Sequence, residues 1–137
     1  MAFDLHYLEE RRFMLTIVSA DVDDRQLMEH VQSLNERTAG VDDLRELADC
    51  RTVTSLEQLS VRGTTLGAAH EVPRLKARLA ILVTDSPLLF GLARAYQAFA
   101  EHQRGAVEIF QDAQEALSWL SEGRDDLHAL RRFVADH

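Results

Sequence analysis

Polar and hydrophobic residues alternate at the start of the chain. Phe3, Leu5 and Tyr7 are separated by single polar residues, and the same period resumes at Phe13, after the charged residues 9–12. A period of two with aromatic and β-branched side chains is typical of strands that bury one face. The pattern therefore predicts two opening strands, joined as a hairpin.

Further along the chain the period lengthens to that of amphipathic helices. We predict five helices, each from a capping residue that is followed by an apolar stripe at helical spacing. The capping residues are, in chain order, Asp23, Ser55, Ser86, Asp112 and either Asp125 or Asp126. The inner face of the second helix is predicted at Leu56, Leu59, Gly63 and Leu66. Gly63 and Gly67 weaken this helix, because each glycine costs about 1 kcal/mol relative to alanine.

Three further strands are predicted between those helices. Residues 44–50, 78–84 and 107–110 form short apolar runs, and the run 78–84 is apolar on both faces. A strand that is covered on two sides shows this pattern. Alternation of strands with helices favours parallel neighbours and right-handed crossovers. We therefore expect an α/β fold with a mixed five-stranded sheet, four flanking helices and one appended C-terminal helix.

Length and composition agree with a single ordinary domain. The chain has 137 residues, of which 46% are hydrophobic and 28% charged, as in typical globular domains. We divide it into a domain at residues 1–122 and a helical extension at residues 123–137. The apolar stripe of the extension, at Leu127, Leu130 and Val134, is expected to pack on the domain or on a partner.

Charge and cysteine content narrow the class of protein. A formal net charge of −8 argues against nucleic acid as a partner, because phosphate binding needs clustered Lys and Arg. Cys50 is the single cysteine, so an internal disulfide is impossible and a reducing compartment is indicated. Apolar runs are far shorter than the ~20 residues of a spanning helix, and residues 1–10 do not resemble a signal peptide. We expect a cytoplasmic protein.

Three segments resemble the SpoIIAA-like family of the STAS superfamily. They are ELADCR at 46–51, TDSP at 84–87 leading into FGLARAY at 90–96, and VEIFQDAQEALSWL at 107–120. The resemblance covers roughly residues 3–120 and leaves the last helix outside. It implies a mixed sheet with helices and a non-enzymatic regulatory or ligand-binding role.

The resemblance also implies two kinds of partner. Bacterial anti-sigma-factor antagonists of the superfamily carry a phosphorylatable serine in an Asp-Ser-Ser-Gly-Leu motif, but residues 55–59 here read SLEQL. Ser55 is the candidate phosphorylation site nearest to that motif, although a helix N-cap is the simpler interpretation. SpoIIAA-like proteins also resemble CRAL-TRIO domains, which enclose lipids, so an apolar ligand is the alternative.

Candidate catalytic and metal-ligating residues do not form a recognisable set. The six histidines follow no repeated ligand spacing, so we expect no metal and no cofactor. Cys50 or Ser55 could act as a nucleophile, but nothing in the sequence places a base near either. We therefore predict that the chain is not an enzyme.

Small and polar residues on two helices are the candidate ligand site. Gly63, Thr64 and Gly67 leave room for a ligand or allow the second helix to move as a lid, although glycines at this spacing also permit close helix packing. Beside Gly91 on the third helix, Arg94 and Tyr96 could meet an anionic headgroup, or form an ordinary surface salt bridge.

Two functions follow from these observations. The preferred one is a non-enzymatic, STAS-like regulatory module that acts through protein–protein interaction, with an unknown partner or as a homodimer. The alternative is a carrier of a lipid or another apolar small molecule, associated peripherally with membranes.

Overall fold

An antiparallel hairpin opens the sheet. The computed structural model describes residues 2–137. β1 spans Phe3–Leu8, a 3₁₀ turn covers Glu9–Arg11, and β2 spans Phe13–Asp21. Arg12 joins the strands in the left-handed region at φ 49°, and its amide donates to the Glu9 carbonyl at 3.0 Å. The predicted hairpin is therefore present.

Parallel strands and helices alternate after the hairpin. The remaining elements are α1 Asp24–Arg37, β3 Arg45–Ser55, α2 Val61–Ala69, β4 Arg74–Leu82, α3 Pro87–Ala100, β5 Arg104–Phe110, α4 Ala113–Leu120 and α5 Leu127–Ala135. The strands lie in the order β1-β2-β3-β4-β5, and all neighbours from β2 to β5 are parallel. The α/β fold with a mixed five-stranded sheet is confirmed.

Helices cover both faces of the sheet. Leu79 and Ile81 of β4 pack in a cluster with side chains of α2 and α3. Ala80 and Leu82, which alternate with them, pack in a cluster with side chains of α4 and α5. This two-sided burial is the reason that residues 78–84 are apolar on both faces.

The second helix begins later than predicted. β3 continues to Ser55, which pairs with Asp21 of β2, so the prediction that Ser55 caps α2 is wrong. The helix begins at Val61, and its N-cap is Ser60, whose hydroxyl accepts from the Gly63 amide at 2.8 Å. The predicted inner face is also wrong, because the inward residues are Thr64, Gly67 and Ala68, whereas Leu66 is exposed.

A buried ion pair ties the C-terminal helix to the sheet. Asp126 precedes α5, but its side chain makes no capping hydrogen bond. It binds the guanidinium of Arg45 at 3.1 and 2.6 Å instead. Leu130 of α5 is fully buried in the same cluster as Phe13 and Leu117. α5 therefore packs on the domain, while the boundary at residue 122 stays a prediction.

Loss of the Asp126 carboxylate should destabilise the fold. Asp126→Asn leaves the buried Arg45 charge without its counterion, and removing one partner of a buried pair costs about 3–5 kcal/mol. The free energy of unfolding in urea measures the effect. Asp125→Asn, at the exposed neighbouring position, is the control and should change the value by less than about 0.5 kcal/mol. Equal values for the two variants would contradict the prediction.

Candidate functional site

An apolar cavity lies between the sheet and the helices α1, α2 and α3. Its volume is about 100 Å³. Most of its walls are aliphatic or aromatic side chains, namely Phe3, Val18, Val22, Leu27, Val53, Leu56, Leu59, Leu79, Ile81, Leu89 and Leu92. Apolar walls with a few placed polar groups are the common composition of small-molecule sites.

Five buried polar residues and the half-buried Tyr96 form the remaining part of the site. They are Thr16, His30, Glu46, Glu71, Tyr96 and Arg104, and we call this set the polar cluster. All except Glu71 line the cavity, and Glu71 contacts two of them through hydrogen bonds. The cluster gathers residues of β2, α1, β3, α3 and β5 and of the segment between α2 and β4. The residues of the site are therefore distant in the sequence and are brought together by the fold.

Arg104 connects the two carboxylates of the polar cluster. Its Nη2 donates to Glu46 Oε1 at 2.6 Å, and its Nε donates to Glu71 Oε1 at 2.5 Å. Burial opposes the charge of Arg104, but Glu71 and Glu46 together raise its pKa above the usual value. Arg104 Nη1 finds no hydrogen-bond partner among residues 2–137. Arg104 is therefore a charged, buried cation with one donor group unused.

Glu46 is held as a carboxylate on β3. Thr16 Oγ1 donates to Glu46 Oε2 at 2.6 Å, and Arg104 occupies the other oxygen. Burial opposes ionisation of Glu46, but the nearby Arg104 and the hydrogen bonds hold its pKa below the usual value. A carboxylate that is fixed in this way is a poor general base, because it must first give up its partners.

His30 lies beside Glu46 in its neutral form. Burial lowers the pKa of His30, and this effect exceeds the opposing influence of Glu46 and Glu71. The imidazole stacks on Phe3 with ring centroids 4.4 Å apart. Its Nε2 is 3.9 Å from Glu46 Oε2, and its Nδ1 has no partner within the described part of the chain.

Tyr96 and Cys50 are also held in their protonated forms. The Tyr96 hydroxyl donates to Glu71 Oε2, and burial together with Glu71 raises the pKa of Tyr96 well above its usual value. Burial, with Asp49 and Glu46 nearby, raises the pKa of the Cys50 thiol to about 12. Because thiolates rather than thiols are nucleophiles, the geometry gives no support to Cys50 as a catalytic residue.

The structure brings two of the predicted site residues to the cavity. Thr64 and Tyr96 line it. Gly63 and Gly67 face α1 instead, because a Cβ on Gly63 would lie 2.2 Å from Cγ of Asp24 and one on Gly67 would lie 3.1 Å from the Leu27 side chain. Close packing of α2 on α1 therefore accounts for both glycines.

The other predicted site residues lie away from the cavity. Gly91 is exposed, and a Cβ there would meet nothing within 4 Å. Arg94 is also exposed, with its guanidinium carbon 6.0 Å from the centroid of the Phe90 ring. Ser55 ends β3, and its hydroxyl accepts from the Glu57 amide at 3.4 Å. None of these three residues lines the cavity.

The sequence offered weak signals for the rest of the polar cluster. Glu46 stands inside an apolar strand pattern, and His30 stands within the apolar stripe of α1. A polar residue at an inward position is informative when it is buried. Glu71 and Arg104 lie in segments that are distant from Glu46 in the sequence. The ion pairs among these three residues therefore cannot be derived from sequence spacing.

A metal site and a membrane-spanning helix each place requirements on the residues that the structure describes. Among residues 2–137, no group of three His, Cys, Asp or Glu side chains could hold a metal ion. Within the same range, the helices are too short or too polar for any of them to traverse a lipid bilayer.

A solved structure resembles this one. It is an uncharacterised protein from the DUF3478 family with a SpoIIAA-like fold, from Shewanella loihica PV-4. The TM-score is 0.55 with 19% sequence identity, over 87% of this chain and 92% of that chain. No protein-family model and no curated protein sequence matches the chain. The likeness establishes a SpoIIAA-like fold, which confirms the predicted resemblance at the level of the fold.

Acidification should destabilise the protein through His30. The folded state holds the pKa of His30 below its usual value of 6.5, so the unfolded chain binds a proton that the folded state excludes. The free energy of unfolding should therefore decrease as the pH falls below about 6.5. Glu46, whose pKa is also lowered, adds a second decrease only as the pH falls below about its usual value of 4.5.

Urea unfolding between about pH 5 and about pH 8 measures the contribution of His30. In His30→Gln the free energy of unfolding should decrease less steeply below neutral pH, because glutamine does not titrate. His102→Gln, at an exposed position, is the matched control and should retain the slope of the parent protein. An unchanged slope in His30→Gln would show that another group is responsible.

Proposed function

We propose that the protein is a non-enzymatic binding module that takes a small, largely apolar molecule into the cavity. The observation that carries this proposal is the arrangement of apolar walls around a buried guanidinium with an unused donor, Arg104 Nη1. Apolar walls supply affinity through the hydrophobic effect, and a placed polar group fixes orientation. This corresponds to the apolar-ligand function that the sequence offered as the alternative to protein–protein interaction.

The size of the cavity limits the ligand. An engineered cavity of about 150 Å³ in another protein encloses benzene, and the volume here is about 100 Å³. The enclosed part of the ligand is therefore about the size of one small ring or a short branched chain. A longer molecule would leave part of its length outside.

The protonation states in the polar cluster favour binding over catalysis. Glu46 is fixed as a carboxylate by Arg104 and Thr16, whereas Tyr96 and Cys50 keep their protons. General acid–base catalysis needs a group with a pKa near the working pH. The one group with a usual pKa near neutrality, His30, has that value lowered by burial.

α2 is the element that we propose as the entrance to the cavity. It is a short helix, and it contributes Thr64 to the lining. Exposed apolar side chains on α2 and α3, Val61, Leu66, Leu88 and Phe90, would favour loading of the ligand at a membrane surface. Peripheral membrane association is part of the proposal for this reason.

Filling the cavity should abolish binding of an apolar probe. Ala93 of α3 lines the cavity, and Ala93→Leu places three further carbons there. Isopropylbenzene should shift amide resonances of cavity-lining segments in the parent protein, in a saturable way, and should shift none in the variant. Ala98→Leu, at an exposed position on the same helix, is the matched control and should bind like the parent.

Circular dichroism of both variants separates loss of the cavity from loss of the fold. Binding that survives in a folded Ala93→Leu variant would place the probe elsewhere and remove the proposal. Absence of binding in the parent protein would remove it as well.

Interaction with a protein partner or a second copy is the second candidate function. Three apolar side chains near the start of β4 and the end of α3 are exposed, Leu75 by 78%, Phe99 by 45% and Val72 by 41%. Large exposed apolar side chains are candidates for an interaction surface. This observation supports the protein–protein function that the sequence favoured.

Self-association through these residues can be measured by light scattering. If the protein forms a homodimer there, the mass should double as the concentration rises, and Leu75→Ser should restore the monomer. Leu88→Ser, at an exposed position on α3, should leave the dimer intact. A monomeric mass at every concentration would exclude the homodimer.

A further inference from the structure

The polar cluster contains more negative than positive charge. Glu46 and Glu71 each contribute a carboxylate, and Arg104 is the cation that both of them bind. His30 is neutral because burial lowers its pKa, and Tyr96 keeps its proton. These groups therefore carry a formal net charge of −1, which is the sum of two carboxylates and one guanidinium.

Arg74 is a further buried cation, but it does not line the cavity. It is buried, and its Nη1 donates to the Val41 carbonyl at 3.4 Å. Arg74 attracts both Glu71 and Glu46 electrostatically and offsets part of the negative charge of the cluster, but it does not line the cavity and offers no contact to a bound molecule.

Arg104 has a free hydrogen-bond donor, although its positive charge is already neutralised by two carboxylates. Its Nε and Nη2 are used by the two carboxylates, while Nη1 has no partner within residues 2–137. Arg104 is only 3% exposed and lines the cavity. A ligand atom that accepts a hydrogen bond would satisfy this donor, and leaving a buried donor unsatisfied is unfavourable.

We propose that the cavity selects neutral molecules with one hydrogen-bond acceptor, a carbonyl or a hydroxyl group, and rejects carboxylates of the same shape. This inference rests on the proposed function, because it names the class of ligand for the same cavity. A neutral acceptor satisfies Arg104 Nη1 and adds no charge to the cluster.

A carboxylate ligand would be a third anion around one guanidinium. It would share Arg104 with Glu46 and Glu71, whose side chains are buried, so repulsion between like charges is stronger there than in water. Desolvation of the ligand carboxylate adds a further penalty. A ketone or an alcohol carries no charge, so it avoids the repulsion, and its smaller desolvation cost is offset by the hydrogen bond from Arg104 Nη1.

Three probes of the same shape test this selectivity. Each probe is a benzene ring with one branched substituent. The substituent is an apolar isopropyl group in isopropylbenzene, a methyl ketone in acetophenone and a carboxylate in benzoate. Titration of each into the full chain at neutral pH, followed by amide chemical shifts, gives three dissociation constants. Acetophenone should bind about tenfold or more tightly than isopropylbenzene, as expected for a hydrogen bond to a charged group. Benzoate should bind at least about tenfold more weakly than acetophenone.

The outcomes separate this inference from the function on which it rests. Equal affinities for isopropylbenzene and acetophenone, or tighter binding of benzoate, would overturn the inference and leave an apolar-ligand site. No binding of any probe up to its solubility would overturn both.

Removing one carboxylate should relax the rejection of anions. In Glu46→Gln the amide can keep contacts to Thr16 and Arg104, while the formal charge of the cluster rises to zero. The ratio of benzoate affinity to acetophenone affinity should increase about tenfold or more. Glu101→Gln, at an exposed position, should leave this ratio unchanged.

Glu71→Gln provides a second variant in case Glu46→Gln does not fold, because it removes the other carboxylate. A folded variant of either kind with an unchanged ratio of benzoate affinity to acetophenone affinity would contradict the electrostatic origin of the selectivity. The comparison of the three probes in the parent protein stands without any variant.

Discussion

The guanidinium of Arg104, held between Glu46 and Glu71, is the interaction on which the site depends. It joins the start of β5 to the middle of the sheet and to the segment that follows α2. Removing Arg104 would leave two buried carboxylates without their common cation, which is the costly loss in such a set. The three side chains occupy space that a hydrophobic core would otherwise fill. The apolar cavity beside them is bounded by groups that cannot move without losing a partner.

The same interaction fixes the protonation state of Glu46, and burial fixes those of its neighbours. Ionisation of Glu46 is secured by its partners, and protons remain on Tyr96 and Cys50 because burial disfavours their charged forms. The site offers fixed charges and fixed donors, which suits recognition of a bound molecule. Proton transfer would need a group that changes state near the working pH, and the partners of each residue oppose such a change.

Much of the fold could be predicted from local patterns in the sequence. Asp23, Ser86 and Asp112 cap their helices by hydrogen bonds to backbone amides, as the sequence indicated, because capping depends on a few adjacent residues. The start of α2 could not be predicted in this way. Ser55 has the side chain of an N-cap, but pairing with Asp21 extends β3 through it, and strand pairing depends on a distant segment.

Less of the candidate site could be predicted, because its residues also depend on contacts with distant segments. Thr64 and Tyr96 could be singled out from helical spacing, and both line the cavity. Gly63 was singled out on the same grounds, yet its missing side chain makes room for Asp24, whose carboxylate accepts from Ser60 at 2.8 and 2.7 Å. A glycine that permits ligand contact and one that permits helix contact look alike in a sequence. Only the neighbours in space distinguish them.

The ion pair between Arg45 and Asp126 has a consequence for how the chain folds during synthesis. The two residues are 81 positions apart, and contacts of such long range are slow to form because a large loop must close first. On the ribosome, β3 is complete long before residue 126 has been translated. The guanidinium of Arg45 therefore remains hydrated through most of translation, and this face of the nascent sheet depends on late-emerging residues for its cover.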